Sequence, residues 1–425
     1  MIDIKDLRAN PGKYVKAAAD KRIAVDIPAL VELDRKVLSA QQELQEIRTQ
    51  QNVAGKEIAK LKGDEKAAAV AKMSQSKARG KELGDIVAEL EPKLQEQLLL
   101  VPQPPAPEVP YGKDDTENVE IRRVGEIPKF DFPLKDHMQL GEALDIIDVP
   151  RGVKLAGTRN YFLKGAGSML HQAILRLAMD LMIQRGFTPL TVPVLVREEV
   201  MYGTGYFPIG RDQAYLAERD QMSLVGTAEV PVTALHSDEI LDEAELPKKY
   251  VAMSTCFRRE AGAAGKDTYG LYRIHLFDKV EQVIICRNDV ETSLDFHRQI
   301  VQNAEDVLGA LKLPYRVVNV CTGDLGQGQV QKFDIETWMP SRGNYGETHS
   351  ASRFYEFQAR RLNLRYRGFD GQVHYCHTLN NTVIASPRVL IPVLELYQNA
   401  DGSVTVPEAL RPYMLGMEKI QAKKG

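Results

Sequence analysis

Arg258 and Glu260 stand two residues apart in Thr255-Cys256-Phe257-Arg258-Arg259-Glu260, ahead of a loop with glycines at 262, 265 and 270. Beyond the loop runs Leu271-Tyr272-Arg273-Ile274-His275-Leu276-Phe277-Asp278-Lys279-Val280-Glu281. The apolar flanks predict two strands, and side-chain alternation puts Arg258 and Glu260 on one strand face. An arginine beside a flexible loop can clamp a phosphate through two parallel hydrogen bonds. A carboxylate two residues on can accept from an exocyclic amine. Taken alone, the same residues would also make a plain hairpin with a cross-strand ion pair.

If this chemistry serves a nucleotide, the fold is not one of the two commonest. The sequence has no G-x-x-x-x-G-K-[ST] and no G-x-G-x-x-G opening a helix, so P-loop and Rossmann phosphate cradles are absent. His349, His374 and His377, with Cys376, have poor spacing for zinc, and ordinary hydrogen-bonded histidines are expected. The four cysteines lie far apart with no Cys-x-x-Cys pair. That disfavours a disulfide framework and suits a reducing compartment.

The elements that must hold these groups fall into two kinds. Strand-like runs at Leu190 to Val196, Tyr250 to Phe257, Leu276 to Cys286 and Tyr315 to Cys321 alternate with helical stretches at Ser168 to Arg185 and Asp289 to Leu311. They predict a mixed α/β body. Ahead of it, small and apolar residues recur at Leu33, Val37, Ala40, Leu44, Ile47, Ala54, Ile58 and Leu61, with Gln51 in the one polar position. This is a coiled-coil seam. It breaks at Lys62-Gly63-Asp64 and resumes at Ala69, Met73, Ser76, Gly80, Leu83, Val87, Leu90 and Leu94. Two antiparallel helices of about thirty residues would make an arm of roughly 45 Å. Pro92 is expected to kink or end the returning helix. Lys66, Lys72, Lys77, Arg79 and Lys81 lie on it with no acid among them. Such a one-sign strip suits a phosphate backbone, and without aromatics it would read shape rather than bases. The stretch 101–110 holds five prolines and marks a domain boundary.

Composition limits the alternatives. The 425 residues carry 55 basic and 58 acidic side chains, a net charge of −3. This excludes a uniformly basic surface but not a local basic patch. With 44% hydrophobic and 27% charged residues, two or three folded domains are expected. No apolar run is long enough for a membrane helix. The start, Met1-Ile2-Asp3-Ile4-Lys5-Asp6, does not read as a secretory signal, so a cytoplasmic location is expected.

Taken together, these motifs resemble the class II aminoacyl-tRNA synthetases, in the form of the bacterial seryl-tRNA synthetases. The hairpin around Arg258 resembles motif 2. Gly186-Phe187-Thr188-Pro189 through Val192-Pro193 is similar to motif 1, and Thr378-Leu379-Asn380-Asn381-Thr382 with Pro387-Arg388 to motif 3. Thr227-Ala228-Glu229, Phe357-Gln358-Ala359-Arg360-Arg361 and Val406 to Met414 also match family markers in order, and the arm and Pro-rich linker complete the resemblance. Where the family commonly reads E-x-S-S-C-S-N, this chain has Glu347-Thr348-His349-Ser350-Ala351-Ser352-Arg353.

The resemblance implies an α+β fold: an N-terminal antiparallel coiled-coil arm (1–100), a linker (101–112) and an antiparallel-sheet catalytic domain flanked by helices (113–425). It implies ATP-dependent activation of L-serine and its transfer to tRNA(Ser), and to the selenocysteine tRNA where one exists, by a homodimer. Arg258 and Arg388 would be catalytic. Arg258, Arg259, Glu260, Ile274, Glu347, Thr348, His349, Ser350 and Arg388 would bind ATP, with Mg²⁺ at Glu347 and Ser350. Thr227, Ala228, Glu229, Glu281 and Thr382 would hold serine, and Lys72, Lys77, Arg79 and Lys81 the tRNA. Two other readings stand beside it. A ligase that loads an amino acid onto a carrier protein needs no long arm. A non-catalytic relative would have lost the motif arginines, which are present here.

Overall fold

The computed structural model describes residues 1–58, 60–262 and 269–422. Most of the glycine loop that follows Glu260, at 263–268, lies outside the described residues. The chain divides into two compact units, 2–104 and, together with Met1, 105–425.

The first unit is helical: α1 (Ile4–Ala9), α2 (Pro11–Asp20), α3 (Ile27–Ile58) and α4 (Gly63–Leu98). The long pair α3 and α4 packs through Ala40, Leu44 and Leu83, with Ile47, Ile86 and Val87 against them. The polar seam position is matched across the pair, Gln51 Nε2 donating to Ser76 Oγ at 3.1 Å. Gly63 opens α4 with a positive φ of 59°, a conformation glycine adopts without penalty. Pro92 does not end the helix: α4 runs through it to Leu98. Proline removes one backbone donor, and the buried side chains of Leu94 and Leu98 fasten the helix beyond that gap.

The second unit is built on an eight-stranded sheet. Its strands are β1 (Val119–Val124), β2 (Thr188–Leu190), β3 (Lys248–Phe257), β4 (Leu276–Cys286), β5 (Tyr315–Asn319), β6 (Gln331–Met339), β7 (Asn344–Arg353) and β8 (His377–Ser386), in the spatial order β1-β5-β6-β7-β8-β4-β3-β2. All pairs are antiparallel except β2 with β3. The expected single strand from Leu190 to Val196 is divided: β2 stops at Leu190 and a separate strand begins at Leu195. Pro193, which cannot donate to a ladder, lies in the gap.

Alternation along β4 explains the layering. Val280, Ile284 and Cys286 point into the main core, where α5 (Ala166–Gln184) covers the sheet. Val283, Ile285 and Ala252 point the other way, into a smaller cluster with α6 (Glu229–Thr233). The longer α7 (Val290–Ala310) is also on the main-core side and is capped by Asp289, which accepts from the Thr292 N–H at 2.7 Å. The short α8 (Phe357–Leu362) adds Ala359 and Leu362 to the smaller cluster. That cluster covers only one end of its face. The rest of that face, over β4, β6, β7 and β8, carries polar side chains.

Candidate active site

A cleft opens on this polar face. Arg258, Glu260, Ile274, Phe277, Lys279, Glu347, Thr348, His349, Thr382 and Arg388 all line it. Residues from motif-like segments 130 positions apart in sequence thus converge on one space.

Arg258 enters from just past the end of β3, which stops at Phe257. Arg258 and Glu260 are therefore not alternate residues of a strand, as the sequence suggested. The hairpin continues by one pair of contacts: the Arg258 N–H donates to His275 O at 2.9 Å, and His275 Nδ1 lies 2.9 Å from Arg258 O. Glu260 then turns the chain at a positive φ of 53°. Its carboxylate accepts from Arg273 at 2.7 Å. The Arg258 guanidinium donates to Gly226 O at 3.4 Å and lies 5.3 Å from the Phe277 ring centre. Burial acts to lower its pKa, but Tyr206, Cys256, Glu347 and Glu260 outweigh it and raise it. Arg259 is exposed and lies outside the cleft lining.

Arg388 closes the opposite side. It donates to Tyr272 O at 3.1 Å and Glu347 O at 3.0 Å, and stacks 4.5 Å from the Tyr272 ring centre. Glu347 points into the cleft with its side chain 49% exposed. Desolvation pulls its carboxyl up, but Arg388, Lys332 and Arg258 together hold it below the usual value. Thr348 is committed elsewhere, with its hydroxyl 2.7 Å from Thr337 Oγ1 and 3.2 Å from Ile335 O. Burial drives His349 down to about 3, so it lines the cleft as a neutral ring. Ser350 lies on β7 directly opposite Asp334 of β6 and outside the cleft lining.

A polar nest forms at the deep end. Glu281 and Thr382 are cross-strand partners at a bulge between β4 and β8. Lys279 donates to Thr227 Oγ1 at 2.7 Å and Thr382 Oγ1 at 3.3 Å, and pairs with the Glu281 carboxylate. The Glu229 carboxylate accepts from Gln358 Nε2 at 2.7 Å. Burial and then the nearby Glu281 push it up to about 7. The Ala228 side chain packs in the smaller apolar cluster, so only its backbone can border the nest.

Sequence reasoning passed over Lys279, Gln358 and Tyr272. Lys279 was legible: it alternates with Glu281 on one strand and must share its face. Gln358 was quoted only as part of the Phe357 to Arg361 marker, and Tyr272 carries no local signal; both reach the site through tertiary packing.

Hard cations prefer oxygen donors, and Glu347 and Ser350 supply two. Among the described residues, no group of three or more His, Cys, Asp or Glu could hold a metal alone. An ion here would need ligand oxygens as well. One structural observation fits it: behind Ser350, Asp334 Oδ1 is buried without a hydrogen bond of good geometry, and the Ser350 hydroxyl is within reach of that carboxylate.

In the first unit, Lys72, Lys77, Arg79 and Lys81 are all exposed on α4. Arg79 is not a free cation. It donates to Glu43 at 2.7 and 3.0 Å across the helix pair and to Glu82 at 3.0 Å.

Comparison with known proteins gives one consistent result. Residues 1–105 match the seryl-tRNA synthetase N-terminal domain, and residues 215–397 the class II core domain of tRNA synthetases (G, H, P, S and T). The chain is 44% identical to a serine–tRNA ligase of Deinococcus radiodurans over 98% of both chains. A crystal structure of seryl-tRNA synthetase from Pyrococcus horikoshii complexed with ATP superposes with a TM-score of 0.93 and 37% identity over 100% of both chains. A cytoplasmic serine–tRNA ligase from Naegleria fowleri, in complex with AMP, gives 0.85 and 29% over 98% of this chain and 96% of that one. The α+β architecture, the two matched domains and the full-length identity agree: the chain belongs to the seryl-tRNA synthetase family.

Proposed function

We propose that this protein activates L-serine with ATP and transfers it to tRNA(Ser). The observation that carries the reading is the placement of the Lys279–Glu281–Thr227–Thr382 nest beside Arg258 in one cleft. A small polar amino acid and an α-phosphate would meet there.

Activation joins a carboxylate to a phosphate, two anions, so the site needs preorganised positive charge rather than a nucleophile. Arg258 holds the α-phosphate and the serine carboxylate together. Arg388, at the far side, takes the γ-phosphate end. Glu260 and the Ile274 backbone read adenine, while Thr348 and His349 border the nucleotide and Arg259, outside the cleft lining, is left without a contact to it. Mg²⁺, seated by Glu347 and Ser350 with phosphate oxygens, would supply further charge neutralisation. In the nest, Glu281 and Thr382 hydrogen-bond the serine hydroxyl. Thr227, Glu229 and the Ala228 backbone take the α-amine. Such a site rejects alanine through the polar groups alanine leaves unpaired, not through shape.

The first unit, 1–100, is read as the tRNA grip through Lys72, Lys77, Lys81 and Arg79. Residues 101–112 form the connector and 113–425 the catalytic domain of a cytoplasmic homodimer. Serine-dependent exchange of pyrophosphate into ATP, followed by serylation of tRNA(Ser), is the direct test. Exchange without serylation would favour a carrier-protein ligase. Absence of both would leave a non-catalytic relative.

A further inference from the structure

Asp334 is a buried side chain that this account leaves unused. It sits on β6 with its side chain 8% exposed, opposite Ser350 in the β6–β7 register. Directly opposed residues of an antiparallel pair project from the same face. One carboxylate oxygen, Oδ2, lies 3.3 Å from Lys332 Nζ. The other, Oδ1, is buried without a hydrogen-bond partner of good geometry. The Ser350 hydroxyl is the donor within reach of the carboxylate, and Glu347 acts on it from the cleft side as a second negative charge. A buried, unpaired carboxylate oxygen is costly unless something claims it.

A hydroxyl that coordinates a cation must turn a lone pair to the ion and send its proton elsewhere. Ligands of metals are oriented in this way by acceptors behind them. Resting on the reading of Glu347 and Ser350 as the cation's protein ligands, we propose that Asp334 is a positioning residue for that ion. It accepts the Ser350 hydroxyl proton and so aims the Ser350 oxygen at the cation, which it does not touch. Lys332 holds the carboxylate in place from its other oxygen. No proton changes owner in this arrangement, only its hydrogen-bond direction.

The test measures metal binding rather than turnover. The full-length protein, saturated with a β,γ-methylene analogue of ATP, is titrated with Mn²⁺, and free Mn²⁺ is followed by its EPR signal. Asp334→Asn should weaken Mn²⁺ binding at least tenfold, and Ser350→Ala by a similar factor. The double variant should be no worse than Ser350→Ala, while the metal-free affinity of Asp334→Asn for the analogue stays within about twofold of wild type. Mn²⁺ affinity unchanged in Asp334→Asn, or losses that multiply in the double variant, would overturn the role. If Asp334→Asn does not fold, Asp334→Glu carries the test. It keeps the charge but displaces the acceptor, so a loss of at least threefold is expected and wild-type affinity refutes the idea. A wild-type protein that binds neither analogue nor Mn²⁺ would sink the nucleotide reading itself, an outcome distinct from failure of the variants alone.

Discussion

Lys279 and Glu281 project from the same face of β4 and pair with each other at the floor of the cleft, where they are 4% and 2% exposed. Each charge has left water, and each is compensated mainly by the other. Thr227 and Thr382 complete the lysine's hydrogen bonds. A buried pair of this kind contributes little net stability, but removing one partner strands the other. The nest therefore supplies a fixed polar geometry to which a small hydroxyl-bearing ligand can be matched.

Two substitutions separate these roles. Lys279→Met leaves Glu281 buried and unpaired, and urea unfolding should show a loss of about 3–5 kcal/mol. The double change Lys279→Met with Glu281→Gln should recover much of it. Glu281→Ala should instead raise the KM for serine at least tenfold and narrow the preference over alanine. Unaltered KM and preference would remove Glu281 from the hydroxyl site.

Arg258 should govern the chemical step. It is the guanidinium held by Gly226 O and anchored through its backbone to His275. Arg258→Ala is expected to cost about 3 kcal/mol of transition-state stabilisation, comparable to a lost oxyanion donor. Pyrophosphate exchange should fall at least a hundredfold while the oligomeric state, read by light scattering, does not change. Exchange near the wild-type rate would reassign the phosphate contact.

Glu229 gives the site a pH dependence. Burial first, and the neighbouring Glu281 second, push its carboxyl up to about 7. In the proposed serine site, the amine would be attracted only by the ionised form. As pH falls through about 7 the free enzyme gains the proton and loses that attraction, so kcat/KM for serine should decline there. The stability effect runs the other way: a carboxyl with a raised folded pKa costs stability as pH rises through the unfolded value. Glu229→Gln should flatten the decline in kcat/KM, at lower overall efficiency. A decline of the same midpoint in the Gln variant would point to another group.

The strands and helices were legible because their patterns are local. The run from Leu276 to Cys286 was read to the residue, since alternation and the flanking breaks define it without help. Glu281 and Thr382 were named from motifs, but their register as cross-strand partners depends on a bulge that no spacing announces. Arg258 and Glu260 were placed on a strand that ends one residue earlier, because the apolar run alone cannot show where pairing stops. Arg353 stood out in sequence only as an unusual arginine. It is fully buried and donates to Glu108 at 2.5 Å and Gln331 at 3.1 Å, and Glu108 lies 245 residues away in the proline-rich stretch. Partners at that separation are set by the fold alone.

The basic strip on α4 is likewise changed by its neighbour. In sequence, the stretch from Lys66 to Lys81 has no acid, but Glu43 of α3 binds Arg79 across the pair. Arg79 then braces the two helices, which leaves Lys72, Lys77 and Lys81, of the four proposed tRNA contacts, as exposed cations that could meet a phosphate backbone. Reversing those three to glutamate should abolish most tRNA charging, leave serine-dependent pyrophosphate exchange intact, and reduce the salt dependence of tRNA binding. Arg79→Glu should behave differently. It sets a third carboxylate against Glu43 and Glu82, so it should also lower the thermal midpoint of the arm. If the three lysine reversals reduced exchange and charging equally, the strip would serve the fold and not the RNA.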